Sequence, residues 1–139
     1  METYEGGAHM YHATMPTDAL TRLRSTMKET QAYGFAKVKA EQEDLGRKVR
    51  ALFEGRGLPS VAAEGFKAPG VVVSYTSDPE IQSGKKFMAQ GLQTAAGVPL
   101  QCDEGSDFKT FRIGLFGIDK LQNVDRTVAS FAAALNKLA

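Results

Sequence analysis

The 139-residue sequence contains a single cysteine, Cys102, and no tryptophan. One thiol can form neither an internal disulfide nor a cysteine-built zinc site, and such scarcity of cysteine is typical of a reducing compartment. No apolar run approaches the roughly 20 residues that a membrane-spanning helix requires. The N-terminal METYEGGAHM has neither the basic nor the apolar part of a signal peptide. These absences predict a soluble, cytoplasmic chain.

The sequence also lacks an excess of charge of either sign. Seventeen basic and 16 acidic side chains leave a net charge of +1. This balance gives no electrostatic footprint for nucleic acid or for an anionic membrane, so neither is expected as a partner. With 42% hydrophobic residues, the composition is that of a globular protein. The length predicts one structural domain that can bury enough surface to fold without disulfides or metals.

Local signals in the first half of the chain predict two helices. The first begins near Pro16, which suits a first helical turn, and its apolar positions are Leu20, Leu23 and Met27. A bend near Tyr33 precedes a second helix that ends at Gly55. Its apolar positions are Phe35, Val38, Leu45, Val49 and Leu52. The charged residues between them predict a solvated helix face: Lys37, Lys39, Glu41, Glu43, Asp44, Arg47, Lys48 and Arg50.

The second half predicts strands and helices without a βαβ series. The predicted order is a strand over 71–76, a helix over 79–96 with a capping box from Ser77 to Glu80, a strand over 98–102, a strand over 108–117, and a helix over 121–138. This order indicates an α+β domain. We expect a small antiparallel or mixed sheet of three to four strands with helices on one face, two N-terminal helices and a long C-terminal helix.

Several motifs fail on their spacing. Ser83-Gly84-Lys85-Lys86 lacks the upstream glycine and the hydroxyl residue of a phosphate-binding loop, and GLFG at 114–117 lacks the dinucleotide-binding spacing. His9 and His12 are three residues apart but precede the helical pattern, with no further ligand spaced to complete a metal site. The acidic segment DEGSD at 103–107 lacks the ligand periodicity of a calcium loop and is interpreted as a solvated turn.

Arg112 is the strongest candidate binding residue. Because side chains alternate along a strand, Phe111 and Ile113 are predicted on one face and Arg112 on the other. The following Gly114 and Gly117 would let backbone approach a ligand closely. A guanidinium fits a carboxylate through two parallel hydrogen bonds. The alternative is an arginine on an edge strand with its head group in water.

Two segments resemble class V pyridoxal-phosphate aminotransferases of the alanine–glyoxylate and serine–glyoxylate type. MYHATMP, at residues 10–16, is similar to the family's Tyr-His-x-Thr-x-Pro segment. FRIGLFGIDKLQNVDRTVASFAAAL, at residues 111–135, resembles its Arg-Ile-Gly-x-x-Gly strand and final helix. The separation of the motifs agrees as well, so the resemblance covers nearly the whole chain.

The resemblance implies specific site residues. Tyr11 and Thr14, with His12 beside them, would contact the phosphate of pyridoxal 5'-phosphate in the neighbouring subunit of a homodimer, and Arg112 would hold the carboxylate of an amino-acid or keto-acid substrate. Ala13 stands where the family often has a second histidine. Residues 1–15 would then be an N-terminal contact arm, and residues 16–139 the small C-terminal domain of the transaminase.

The resemblance also implies a missing part. The large domain of the family carries the Schiff-base lysine, and no equivalent is found here. Lys85 and Lys86 fall on a predicted exposed helix, where a lysine remains protonated and forms an imine poorly. We therefore expect an isolated chain without transaminase activity and with weak or no cofactor binding, whose partner is the large domain.

Two other interpretations remain open. The chain could be a stand-alone module, from a truncated gene, that binds a small carboxylate or another protein. It could also be related to lyases or desulfurases, for which a nucleophilic Cys102 would be needed. At the end of a predicted strand, however, Cys102 is expected to be a buried apolar residue rather than a nucleophile.

Overall fold

The computed structural model describes residues 2–9 and 14–138. Contacts divide the chain between Tyr33 and Gly34 into two units. The elements of the first unit are α1 (Glu2–Glu5) and α2 (Thr17–Tyr33). Those of the second are α3 (Phe35–Glu54), β1 (Val71–Tyr75), α4 (Pro79–Gln82), α5 (Lys85–Ala89), β2 (Ala95–Ala96), β3 (Thr110–Gly114), α6 (Ile118–Leu121) and α7 (Val124–Leu135).

The first unit differs from the sequence expectation at its start. The first predicted helix begins near Pro16, but Glu2–Glu5 already forms one helical turn, closed by Gly7 in the left-handed region at φ 77°. In α2, hydroxyl groups donate to the carbonyl four residues earlier, as Thr21 does to Thr17 at 2.9 Å. None of the α2 side chains is buried. The apolar positions Leu20, Leu23 and Met27 are therefore exposed, by 46%, 55% and 61%.

The second unit is a three-stranded antiparallel sheet with helices on one face, as predicted. The strand order is β1-β3-β2. Val72 lies opposite Ile113, and Ser74 opposite Phe111. All four are buried, because side chains paired across two strands share a face and this face receives the helices.

A cluster of aromatic rings forms the centre of the core. Phe53 of α3 lies between the rings of Phe87, Phe111 and Phe131, with centroid distances of 6.5, 5.7 and 6.1 Å. The interplanar angles range from tilted to edge-on, which is the favoured geometry for aromatic pairs. These rings join one long helix to α5, the sheet and the final helix. The core of the second unit thereby fixes the sheet through one of its faces.

The predicted helix over 79–96 is wrong in its extent. α4 ends at Gln82, and Gly84 turns the backbone into the left-handed region at φ 78° before α5 begins. A Cβ atom at Gly84 would meet the Thr94 hydroxyl at 2.7 Å. The close approach of these two segments therefore interrupts the helix at a glycine. The predicted capping box is also wrong, because Asp78 caps α4 by accepting from the amides of Glu80 and Ile81.

The strand predicted over 98–102 is wrong as well. β2 lies earlier, at Ala95–Ala96, where Ala95 pairs with Arg112. The Gly97 amide then donates to the Thr110 carbonyl at 2.8 Å. Apolar residues of the predicted strand are exposed, Val98 by 52% and Leu100 by 53%. Pairing with β3 at this register, rather than local β propensity, decides where the strand forms.

The long C-terminal helix is confirmed, but it begins at Val124 rather than at Leu121 and follows a separate short helix, α6. α6 ends at Leu121, and the Asn123 side chain accepts from the Arg126 amide at 2.9 Å to begin α7. An asparagine N-cap of this kind starts a new helix because it satisfies an amide that lacks an intrahelical partner. The apolar side chains Phe131 and Leu135 of α7 enter the core.

Candidate carboxylate-binding site

Arg112 lies in the middle of the sheet. Its strand, β3, is hydrogen-bonded on both sides, and Arg112 stands opposite Val73 of β1 and Ala95 of β2. The alternative of an edge-strand arginine is therefore wrong. An arginine in a central strand has a backbone fixed by two neighbours, so its side chain starts from a defined position.

The alternation of faces predicted around Arg112 is confirmed. Phe111 and Ile113 are 0% and 3% exposed, whereas Arg112 and Gly114 are exposed. The guanidinium thus lies on the face of the sheet opposite to the buried side chains of Phe111 and Ile113. Among the residues that the structure describes, none accepts a hydrogen bond or forms an ion pair with it.

Arg112 lines an open cleft of about 330 Å³ on this face. The lining residues are Val71, Gln93, Thr94, Ala95, Arg112, Gly114 and Phe116. Arg112 is the single charged residue among them, so the cleft carries one fixed positive charge. An unpaired planar guanidinium with room beside it is suited to a carboxylate, which it can bind through two parallel hydrogen bonds.

Two glycines shape one end of the cleft. A Cβ atom at Gly70 would meet the Phe116 ring at 2.6 Å, and one at Gly114 would meet it at 3.4 Å. The Leu115 amide donates to the Gly70 carbonyl at 2.9 Å, which fixes the chain directly before the ring. The ring therefore rests on glycine backbone while remaining 62% exposed.

Two other clefts of the second unit offer less defined binding chemistry. One, of about 430 Å³ along α3, mixes three basic and three acidic side chains, and its Lys67 is already paired with Glu64 at 2.9 Å. The other, of about 490 Å³, contains the acidic Asp103 and Glu104. The Glu104 carboxylate accepts from the amides of Cys102 and Gln101, and these hydrogen bonds lower its pKa to about 2. Neither cleft presents an unpaired cation to an anionic ligand.

The lysines of α5 lack the properties of an imine-forming residue. The Lys86 ammonium lies 2.6 Å from an oxygen of Asp78, and this hydrogen bond raises the pKa of Lys86. A higher pKa leaves less of the neutral amine that attacks a carbonyl. Lys85 is exposed. Neither lysine of α5 therefore fits the imine-forming role of a pyridoxal-phosphate site, and no step through the cofactor is assigned to this chain.

The residues predicted to contact the cofactor phosphate are only partly described. Tyr11 and His12 lie outside the described residues, so their predicted role stays a prediction. Thr14 is described, and it lies exposed ahead of α2. It belongs to the first unit, whereas Arg112 belongs to the second.

Two further sequence expectations are corrected. Cys102 was expected to be buried, but it is exposed, because the segment that carries it is not a core strand. Arg50 was assigned to a solvated helix face, but it is only 5% exposed. Its guanidinium donates from Nη2 to the carbonyls of Ala68 and Val71, at 2.5 and 2.9 Å.

Among residues 2–9 and 14–138, no group of three or more histidine, cysteine or acidic side chains is arranged to hold a metal ion. In the same residues, no helix is long and apolar enough to cross a membrane.

Part of the cleft could not be predicted from the sequence. Val71 and Gln93 lie far from Arg112 along the chain and reach the site only through the sheet and the turn before β2. Phe116 carried a detectable signal, because it falls on the same alternating face as Arg112. Its position on Gly70 could not be seen, since that contact joins residues 46 positions apart.

Comparison with known proteins shows a likeness in fold. No model of a known protein family matches this sequence, and no curated protein matches it significantly. Among solved structures, alanine–glyoxylate aminotransferase from Nostoc sp. superposes with a TM-score of 0.68 at 19% sequence identity. The match covers 99% of this chain and 35% of that one, so the chain spans about a third of the length of its neighbour. The resemblance to this type of aminotransferase is thus confirmed at the level of the fold.

Proposed function

We propose that this chain is the small C-terminal domain of a pyridoxal-phosphate-dependent transaminase, and that Arg112 binds the carboxylate of its substrate. The observation that carries the proposal is the unpaired guanidinium of Arg112 in an open cleft on the middle strand. The likeness in fold to an alanine–glyoxylate aminotransferase, over 35% of that chain, supports it. Amino transfer from alanine or serine to a keto acid such as glyoxylate is the proposed reaction, in the cytoplasm.

In this proposal the chain contributes orientation rather than covalent chemistry. Arg112 would fix the substrate by its carboxylate, so that the α-carbon is held at a constant distance from the sheet. Tyr11, His12 and Thr14 would contact the cofactor phosphate of the neighbouring subunit in a homodimer. Pyridoxal 5'-phosphate, when bound by the complete enzyme, supplies the electron sink. A large domain provides the lysine, in keeping with the state of Lys86.

The exposed apolar residues of α2 support the proposal that a further domain packs against this helix. Leu20, Leu23 and Met27 lie at helical spacing, and each is about half exposed. An apolar stripe on an otherwise polar helix is normally covered by another part of the protein. The remaining two-thirds of a chain of the neighbour's length would be sufficient to cover it.

Binding of pyruvate or glyoxylate to the purified chain tests the role of Arg112. We expect saturable shifts of the Gly114 and Phe116 amide resonances with either ligand. Arg112→Gln should weaken binding at least tenfold, because a hydrogen-bonded charge pair is lost. Arg24→Gln, which removes the same charge from exposed α2, is the control and should leave the affinity unchanged. Equal affinity of the two variants would refute the role of Arg112.

An activity assay tests whether this chain catalyses amino transfer by itself. The chain, mixed with pyridoxal 5'-phosphate, alanine and glyoxylate, should form no pyruvate above the rate of the cofactor alone. Turnover by a preparation free of any lysine-bearing partner would contradict the proposal.

A stand-alone carboxylate-binding module is the second candidate, and the same cleft favours it. The reading frame upstream of the Met1 codon separates the two. A frame that continues into a lysine-bearing domain supports the transaminase. A stop codon followed by a ribosome-binding site supports the module, and then the Arg112 cleft becomes the whole function.

A further inference from the structure

We infer that the side-chain amide of Gln93 is a second recognition group in the Arg112 cleft, and that it makes the cleft prefer 2-oxo acids to acids without an oxygen on the carbon next to the carboxylate. The inference rests on the proposed function of Arg112 and adds to it a residue that determines specificity. It is carried by the position of Gln93 in the cleft lining, by its unused amide and by the contacts that fix the backbone on both sides of it.

Gln93 offers an unpaired amide to the cleft. It lines the cleft together with Arg112, and its side chain is exposed. In the part of the chain that the structure describes, this side chain forms no hydrogen bond. A glutamine amide has two donor hydrogens and one acceptor oxygen. The cleft therefore contains two unpaired donors of different kinds, a charged guanidinium and a neutral amide.

The backbone before Gln93 is held by the end of α5. Gly91 lies in the left-handed region at φ 75°. Its amide donates to the Met88 carbonyl at 2.9 Å, and the Leu92 amide donates to the Phe87 carbonyl at 3.0 Å. These two hydrogen bonds form the cap with which a helix commonly ends at a glycine. The chain therefore enters the cleft at Gln93 from a fixed position.

The backbone after Gln93 is held by the sheet. Ala95 lies opposite Arg112, and residues paired in this way have Cβ atoms roughly 4.5–5.5 Å apart. Gln93 precedes Ala95 by two residues, which span at most about 7 Å. The intervening Thr94 is close-packed, since a Cβ atom at Gly84 would meet its hydroxyl at 2.7 Å. The amide and the guanidinium therefore project from neighbouring, fixed positions.

Gln93 is the polar side chain of the lining that a ligand of Arg112 can reach. The lining contains no second charged residue, and its other polar side chain is Thr94. The Thr94 hydroxyl is buried, so it is not presented to a ligand in the cleft. A small acid held by Arg112 therefore has the Gln93 amide as its second polar contact.

A 2-oxo acid matches this pair of donors. Its carboxylate would pair with the guanidinium, and the oxygen on the adjacent carbon would accept from the Gln93 amide. An acid with a methylene group at that carbon would displace water from the amide without replacing the hydrogen bond, which costs affinity. Because the amide is neutral, it could also turn its oxygen towards a 2-amino group. It is thus compatible with both the keto acid and the amino acid of an amino transfer.

Binding of pyruvate and propionate to the purified chain tests the inference. Both are three-carbon anions at neutral pH, and they differ at the carbon next to the carboxylate. We expect pyruvate to bind about fivefold more tightly, as one neutral hydrogen bond allows. Gln93→Leu should bring pyruvate within twofold of propionate and leave the propionate affinity unchanged. Gln93→Glu, which keeps the length of the side chain but removes both donor hydrogens, should also lose the preference.

Gln122→Leu is the matched control. It removes the same amide from an exposed residue that does not line the cleft, so it should retain the preference for pyruvate. Thermal unfolding of Gln93→Leu should be close to that of the unaltered chain, because surface substitutions have small effects on stability.

The outcomes separate this inference from the proposed function. If Arg112→Gln weakens binding of both acids but Gln93→Leu keeps the preference, the carboxylate site stands and the role of Gln93 is overturned. Equal binding of pyruvate and propionate to the unaltered chain overturns it as well. An equal loss of both acids in Gln93→Leu would show that Gln93 shapes the cleft without determining the preference, and would also overturn the inference. If neither acid depends on Arg112, the proposed function itself fails.

Discussion

At the scale of single residues, Arg50 and Arg112 present the same guanidinium in opposite surroundings. Arg112 is exposed and has no partner among the described residues. Arg50 is buried and holds the carbonyls of Ala68 and Val71 at the entrance to β1. Burial lowers the pKa of Arg50. The first arrangement leaves a charge available to a ligand, and the second uses a charge to fix the chain that carries Gly70.

Replacement of Arg50 should therefore destabilise the protein. We expect Arg50→Met to reduce the free energy of unfolding by roughly 2–4 kcal/mol, because hydrogen bonds from a charged donor are lost and two carbonyls lose their partner. Arg47→Met removes an exposed arginine one turn earlier and should cost less than about 1 kcal/mol. Chemical denaturation of both variants measures the difference. Equal losses would show that the contacts of Arg50 contribute little to stability.

Glu104 provides a test by pH. Its pKa of about 2 lies below the ordinary value of 4.5 because the Cys102 and Gln101 amides donate to its carboxylate. A depressed pKa means that the stabilisation is complete above pH 4.5 and is lost as the pH falls towards 2. Carbon-detected titration of the Glu104 carboxyl should give a midpoint near 2. A midpoint near 4.5 would mean that the amide contacts are not made in solution.

At the scale of elements, contacts between segments decide where helices and strands begin and end. Gly84 and Gly97 show how. Gly84 stops a helix at the point where Thr94 approaches it, and Gly97 continues the pairing with β3 opposite the Thr110 carbonyl. Neither contact can be seen in a window of sequence, so the predicted helix over 79–96 and the predicted strand over 98–102 were both misplaced.

Gly46 in α3 shows the same principle in a helix that was predicted correctly. A Cβ atom there would meet the Pro69 carbonyl oxygen at 2.6 Å and its Cα at 2.8 Å. Helix propensity alone would credit Gly46→Ala with a gain of about 1 kcal/mol. We expect a net loss of stability instead, because overpacking against backbone costs roughly 1–3 kcal/mol.

Thermal unfolding of two variants checks this expectation. Gly46→Ala should lower the melting temperature. Ala40→Gly, on the exposed face of the same helix, should reduce the free energy of unfolding by the ordinary propensity difference of about 1 kcal/mol. A rise in melting temperature for Gly46→Ala would contradict the close approach of Pro69 to α3.

At the scale of the whole molecule, the two units differ in whether they form a buried apolar core. The core of the second unit includes Phe131 and Leu135 of α7. In the first unit, α2 has no buried residue. An uncovered stripe of this kind promotes association.

We therefore expect the isolated chain to self-associate through α2. Sedimentation velocity should show a concentration-dependent increase in mass, because Leu20, Leu23 and Met27 would bury apolar surface between copies. Leu23→Glu should shift the equilibrium towards the monomer by tenfold or more, and Gln31→Glu, which adds the same charge elsewhere on α2, should not. A monomer at all concentrations would contradict this expectation.

The sequence by itself determined the α+β class, the two long helices and the alternation that puts Arg112 on the face opposite to Phe111 and Ile113. These follow from periodicity, glycines and prolines, which act over a few residues. The resemblance to an aminotransferase fold rested on two motifs that are visible in the sequence, at residues 10–16 and 111–135. Tertiary structure alone decided that Arg50 is buried, that Arg112 lies on a central strand, and that Phe116 rests on Gly70. Each of these depends on residues distant in sequence, where packing and pairing energies exceed local preference.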